Sequence, residues 1–312
     1  MRETRMITEG AVLAAIVTII LLLTFYVPVI GSFTIWALSL PFTVFTYRKG
    51  LKAGFILLFV SCFIAFVIGI GGGLAIVPTF MFGSAGLVIG EMHRRGKNGF
   101  SVLLGASLLF IVHILLSYIV MTLVLNINPM QLAIDLTKEQ MEMTESTLVS
   151  FGQEVNIEAF EETLDLLIYM APVVIVGTAV TLALISTLLG YYVLRKLRHK
   201  VQALPPFREW QFPKSFLWYY LIVMILSFSA VEEGSTLFVI VWNLFPLLEV
   251  VLAVQGFSFI FFYCHQKKIA KAIPILLIVA SLVIMPLLHL VRVLGILDLG
   301  FGLRKRIESQ KK

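Results

Sequence analysis

The chain has 312 residues, 59% of them apolar and only 13% charged, with a formal net charge of +6 and a mean hydropathy of +0.99. A soluble chain needs about a quarter of its residues charged to cover its surface, so a soluble enzyme and a nucleic-acid-binding domain are both excluded. The basic excess reads as membrane topology and attraction to lipid headgroups. In hydrocarbon every backbone N–H and C=O must be bonded within its own segment, and the long apolar runs lack the alternation of an outer-membrane barrel. The fold class is therefore all-α, a polytopic transmembrane helix bundle of about nine spans, with eight to ten as its range.

The first apolar run follows Arg2 and Arg5 and has no cleavage signature, so it reads as a retained span rather than a signal peptide. Spans are predicted at about 10–30, 33–47, 53–72, 74–90, 100–125, 166–194, 215–231, 236–264 and 272–294. The second is short and contains Pro41, and the run Gly69-Ile70-Gly71-Gly72-Gly73 barely separates the third from the fourth. Small residues four apart recur at Gly10/Ala14, Ala11/Ala15, Gly69/Gly73 and Gly86/Gly90, where missing side-chain bulk lets two helices approach. Packing inside the bundle accounts best for the glycine pairs. Ala11 and Ala15 are expected to face a neighbouring helix or a partner subunit.

Basic clusters at Arg48/Lys49/Lys52, Arg94/Arg95/Lys97, the stretch 195–214 and Lys267/Lys268/Lys271 each follow an even-numbered span. Lysine and arginine are retained inside during insertion, so the expectation is a multi-pass protein of the cell membrane with a cytoplasmic N-terminus. Segment 126–165 holds nine of the eighteen carboxylates and the single cation Lys138, as suits the outer face. There Asn128 caps a helix with Pro129 at its first position, Met130, Ile134, Met141, Leu148 and Phe151 lie near one face, and Gly152 ends it. Asn156 is expected to cap a second short helix. The pair reads either as surface helices on the bilayer or as a lid over an outward cavity. The tail with Arg304, Lys305 and Arg306 falls outside on a nine-span count, which either a fold-back of the segment after Pro286 or a different number of short spans would resolve.

Three regions follow: a six-span membrane domain over 1–194 with its outer amphipathic segment 126–165, a basic proline- and aromatic-rich cytoplasmic loop over 195–214, and a three-span region with a basic tail over 215–312. In the loop, Pro205, Pro206, Phe207 and Trp210 are candidates for docking a partner or for anchoring at headgroup level. Ionisable or amide side chains inside spans are costly unless paired or hydrated. They make His113, Asn243, Glu249 and Gln255 ligand-binding candidates, with hydrogen bonding between helices the equal alternative for the two amides. Glu91, beside His93 and Arg94, is expected to be a solvated pair. His113 and Glu249 are expected to line one hydrated cavity, and Arg292 is expected to pair with Glu232 and Glu233 at the outer ends of their spans.

Cys62 and Cys264, the two cysteines, lie in apolar runs, so neither a disulfide framework nor a zinc pattern is present. There is no phosphate-binding glycine loop, no His-Glu-x-x-His and no nucleophile elbow. No enzymatic activity, catalytic residue, metal or cofactor is expected.

The P-P-F-R-E-W-Q-F-P loop, the stretch Val254-Gln255-Gly256-Phe257-Ser258 and the ending Leu294-Gly295-Ile296-Leu297-Asp298 with Arg304-Lys305-Arg306 resemble the YybS family of bacterial predicted membrane proteins over nearly the whole chain. The first six spans are also similar to the S components of energy-coupling factor vitamin transporters. That second resemblance implies contact of Ala11 and Ala15 with a transmembrane coupling subunit, though the three further spans depart from the S-component plan. The expected function is a transporter-like membrane protein that binds a small molecule or ion between the first six spans and the eighth. The alternative is a non-transporting scaffold or regulator docking its partner through the proline-rich loop.

Overall fold

A computed structural model describes residues 2–150, 164, 167–229 and 232–309. Among these, the regular structure is helical throughout, with no strand. The expected end of the outer helix at Gly152 and the short helix after Asn156 lie outside the described residues. The chain divides into two compact units, Met1–Ile127 with Ile175–Leu204, and Asn128–Val174 with Pro205–Lys312. Outer segment 126–165 was expected to belong with the first six spans. Its described stretch from Asn128 to Ser150 groups with the second unit, where the Asn243 side chain holds the turn at Tyr169.

The first unit contains α1 (Arg2–Tyr26), α2 (Pro28–Thr34), α3 (Ser39–Lys49), α4 (Leu51–Ile68), α5 (Ile76–Arg94), α6 (Gly99–Leu123) and most of α8 (Ala171–Lys196). Its core centres on Phe42, Phe82 and Phe110, which are almost fully buried. Phe82 and Phe110 meet edge to face at 5.6 Å, the geometry that ring quadrupoles favour. Helices α3 and α5 lie unusually close because Gly86 and Gly90 leave room: a Cβ on either would run into the Ser39 or Thr43 carbonyl. The pair Gly86/Gly90 is thus an internal packing stripe, as expected. Gly69/Gly73 is not. Both residues have positive φ with no atom within 4 Å of a would-be Cβ, so they turn the chain from α4 into α5 instead of packing against a helix. Gly50, at φ +90°, alone separates α3 from α4.

On α1, Ala14, Val17 and Leu21 face the core, whereas Ala11 and Ala15 are exposed. At the polar ends, Glu9 pairs with Arg48 and, at 3.0 Å, with Lys49. Glu91 takes Arg94 at 2.8 Å and Arg95 at 2.7 Å.

The second unit contains α7 (Pro129–Ser150), α9 (Ser215–Ser227), α10 (Thr236–Gln266), α11 (Ala272–Val283), α12 (Met285–Phe301) and α13 (Leu303–Ser309). The Asn128 cap forms as expected, its Oδ1 accepting from the Met130 and Gln131 amides at 3.0 and 3.3 Å. Ile134 is buried and Met130 and Met141 are half-buried. A smaller core joins Val223, Val241 and Leu248 with Phe216, Tyr220 and Phe245. Gly256 on α10 and Gly295 on α12 bring those two helices together, since a Cβ on either would strike the Val291 or Leu252 carbonyl.

Among the described residues, six helical segments are long and apolar enough to cross a membrane, α2 and α3 counting together as one over Val29–Lys49, or seven if the bent pair α12–α13 is one span. The difference from nine has three sources. Helices α9 and α11, at 13 and 12 residues, are apolar but shorter than the roughly twenty residues a 30 Å hydrocarbon core requires. Helix α5 carries too many small and polar residues to qualify. The predicted ninth span is two helices, broken where Ile284 adopts φ −105°, ψ 93° two residues ahead of Pro286, whose ring has no N–H to donate to the preceding turn and is tolerated at the start of a new helix. Beyond it the chain bends by 69° between α12 and α13.

Candidate functional site

The most concentrated polar chemistry lies in the second unit. Asp298 stands in the apolar stretch Ile296-Leu297-Asp298-Leu299 of α12 and is completely buried. Its Oδ2 accepts from Gln255 Nε2 at 2.5 Å and from Arg304 Nε at 2.9 Å. Arg304 also donates to the Arg208 carbonyl at 2.9 Å and the Ser258 hydroxyl at 3.0 Å, with its guanidinium 5.4 Å from the Phe262 ring centroid. The Ser258 hydroxyl lies 2.7 Å from both the Phe207 and Trp210 carbonyls, and Gln255 Oε1 accepts the Phe212 amide at 2.9 Å. One arginine and one carboxylate therefore fasten the proline-rich loop onto α10, α12 and α13. The 69° bend is what lets Arg304 turn back to reach Asp298.

Several sequence expectations change here. Gln255 commits both ends of its amide to this network, the hydrogen bonding between helices that was the equal alternative for it. Phe207 and Trp210 are half-buried: their rings pack at 5.2 Å, Phe207 packs on Phe261 at 5.4 Å, and the Trp210 indole donates to the Pro205 carbonyl at 2.9 Å. These contacts close the loop on itself, and Pro206 stays exposed. Asn243 is likewise committed, donating to the Tyr169 and Val239 carbonyls at 2.7 Å each and accepting the Val173 amide at 2.9 Å. Those bonds hold the start of α8 in the second unit.

Glu249 is paired, as a carboxylate inside an apolar helix must be, but its partner is Arg292 at 2.8 Å, with His289 3.2 Å from the same guanidinium nitrogen. Arg292 was expected to reach Glu232 and Glu233. Both are exposed in the turn before α10, and the nearer carboxylate took the cation. In the first unit His113 sits 3.3 Å from the Ser84 hydroxyl and 2.9 Å from the Leu109 carbonyl, with its ring on Phe80 at 5.3 Å. Sequence reasoning missed Asp298, Ser258 and Arg304 as site residues. The rule that singled out Glu249, a charge within an apolar run, applies equally to Asp298.

A separate cavity of about 360 Å³ opens in the same unit, lined by Met170, Ser227, Ser229, Phe238, Trp242 and Phe245. Phe238 and Trp242 lie with ring centroids 5.2 Å apart, and Tyr169 meets Phe238 edge-on at 5.4 Å. Both serines donate back to main-chain carbonyls, Ser227 to Met224 at 2.7 Å and Ser229 to Leu226 at 2.6 Å, which leaves their oxygen lone pairs as acceptors. Pro246, inside α10, has no N–H for the Trp242 carbonyl one turn earlier. The walls thus combine aromatic faces with hydrogen-bond acceptors. Among the described residues, no group of three or more His, Cys, Asp or Glu side chains could hold a metal ion.

A helical chain with a desolvated ion-pair network amid long apolar helices is an integral membrane protein, and this one belongs to the family described as Predicted membrane protein (DUF2232), whose model matches residues 15–299. It is 34% identical, over 312 residues that make up 99% of this chain and all of the relative, to the Bacillus subtilis (strain 168) protein titled Uncharacterized protein YybS. No solved structure matches the chain.

Proposed function

We propose that the protein is transporter-like and binds a small organic molecule between helices, in the cavity walled by Phe238, Trp242 and Phe245. The observation that carries this reading is the cavity's chemistry. At about 360 Å³ it has the size of a small-ligand pocket, and it pairs aromatic faces with two serine hydroxyls that can still accept and a Trp242 carbonyl to which Pro246 offers no N–H. Such a lining favours a ligand with a cationic or N–H-rich end, because ring faces attract cations and the serine and Trp242 oxygens can accept its hydrogens. The Glu249–Arg292 pair lies one turn further along α10 from Pro246, which places a charged pair next to the pocket.

The test is a thermal-shift screen of the purified full-length protein in detergent, using organic cations, amino acids, nucleobases and vitamins. A binder present at a hundred times its Kd should stabilise the fold by about 2.7 kcal/mol, and the shift should vanish in Trp242→Ala. A panel with no stabiliser, or one that stabilises Trp242→Ala equally, would overturn the reading.

A further inference from the structure

A second cleft, of about 400 Å³, lies in the second unit between the proline-rich loop, the end of α10 and the start of α11. Its rim carries Arg208, His265, Lys268 and Lys271, and its floor is apolar, with Phe207, Phe261 and Ile275 among the lining side chains. None of the lining residues is acidic, and the Glu209 carboxylate beside the rim lies 3.6 Å from Arg208. From this geometry we infer that the cleft is a binding site for an anionic phospholipid, with the phosphate at the cationic rim and an acyl chain along the apolar floor.

Three observations carry the assignment. The cleft lies where two apolar helices, α10 and α11, are joined by the short basic link 267–271. An apolar helix ends where hydrocarbon gives way to headgroups, so this link sits at the depth of lipid phosphates, and basic pockets at that depth select anionic headgroups. Secondly, the rim is built. The Arg208 carbonyl is held by Arg304 and the Phe207 carbonyl by Ser258, so the loop that supplies Arg208 is tied down through buried groups. Thirdly, Lys268 occupies a left-handed position, φ +58°, in the turn that ends α10, where the Ile269 amide returns to the Cys264 carbonyl at 2.8 Å. Glycine serves that position without strain. A lysine there gives up local stability for a cation at the mouth of the cleft, and the helix C-terminus favours positive charge as well.

Lysine 268 supplies its own control, because Lys268→Gly removes the charge while relieving the backbone. The full-length protein in detergent would be titrated with dioleoylphosphatidylglycerol, dioleoylphosphatidylcholine and inorganic phosphate, with binding read by native mass spectrometry and by thermal shift. Phosphatidylglycerol should bind and stabilise, while phosphatidylcholine and inorganic phosphate at equal concentration should not. Affinity should fall about fivefold for one lysine and roughly twenty- to thirtyfold for Lys268→Gln with Lys271→Gln, and Lys268→Gly should lose affinity while melting no lower than wild type without lipid. Lys52→Gln with Lys97→Gln, which removes two exposed cations of the first unit, should leave affinity unchanged. Equal binding of the two lipids, undiminished affinity in the Lys268/Lys271 variant, or an equal loss in the Lys52/Lys97 variant would overturn the inference. Inorganic phosphate binding as well as phosphatidylglycerol would assign the rim to a soluble anion instead.

Discussion

Replacing Arg304 by Met keeps the hydrophobic stem beside Phe262 but deletes three donors, those to Asp298, the Arg208 carbonyl and the Ser258 hydroxyl. The decisive loss is at Asp298, which is fully buried and would keep only the Gln255 amide. Removing one partner of a buried ion pair typically costs about 3–5 kcal/mol, because an uncompensated charge is left behind, whereas replacing both partners with apolar groups is often close to neutral. Arg304→Met combined with Asp298→Leu should therefore be less damaging than the two single changes added together, although the Gln255 amide and Arg208 carbonyl still lose partners at about 1–3 kcal/mol each. A coupling energy of at least about 2 kcal/mol is expected, within the range found for side chains in one network. Arg304→Lys should fall between, since a lysine keeps the charge but not the planar fork. Reversible unfolding by sodium dodecyl sulfate titrated into mild detergent measures the energies. Trypsin cleavage after Arg208 and Lys214 reports the loop directly and should accelerate in Arg304→Met. A cost below about 1 kcal/mol with unchanged cleavage would show that Arg304 does not hold the loop.

Gly90→Leu should disrupt the first unit, because its side chain would fall on the Thr43 carbonyl, while Gly73→Ala, which meets nothing but takes a left-handed φ, should cost only about 1 kcal/mol; comparing their unfolding midpoints checks the distinction. The polar end of α5, past the apolar run that closes at Gly90, should make stability fall with acidity in two stages. Burial holds His93 below its ordinary 6.5, so the unfolded chain takes up a proton that the folded chain resists, and stability declines as pH drops below 6.5, by at most about 1.4 kcal/mol per pH unit. Hydrogen bonding from Arg94 holds Glu91 below its ordinary 4.5 despite opposing desolvation, with Arg95 adding to the lowering. Its contribution is complete above 4.5 and is lost as pH falls through the lowered folded value. His93→Gln should abolish the upper stage alone, and unfolding curves for that variant that keep the decline between pH 6.5 and 5 would assign it elsewhere.

The helical class and most helix positions were legible because hydrocarbon permits few alternatives, so apolar run length nearly dictates the element. The cap at Asn128 was legible locally as well. What could not be read was which partner each buried charge would choose. Arg292 and Glu249 are 43 residues apart in sequence, and nothing along the chain fixes the rotation of α10 against α12; only the close approach at Gly256 and Gly295 does so, and that is a property of the packed pair. The same limit hid the role of the tail. Read as charge alone, Arg304 is one more cation beyond the last span, in conflict with the alternation of basic clusters. In the folded chain the break at Ile284 and the bend at Gly302 turn it inward onto Asp298, so it bears on packing and not on topology. The three stretches that mark the family resemblance, far apart in sequence, meet at this one point: the loop supplies its carbonyls and the Phe212 amide, α10 supplies Gln255 and Ser258, and the C-terminal segment supplies Asp298 and Arg304. A membrane helix bundle can satisfy its backbone without any of these groups. Their burial together, at a real desolvation cost, is explained by the loop they hold in place and by the cationic rim that the loop completes.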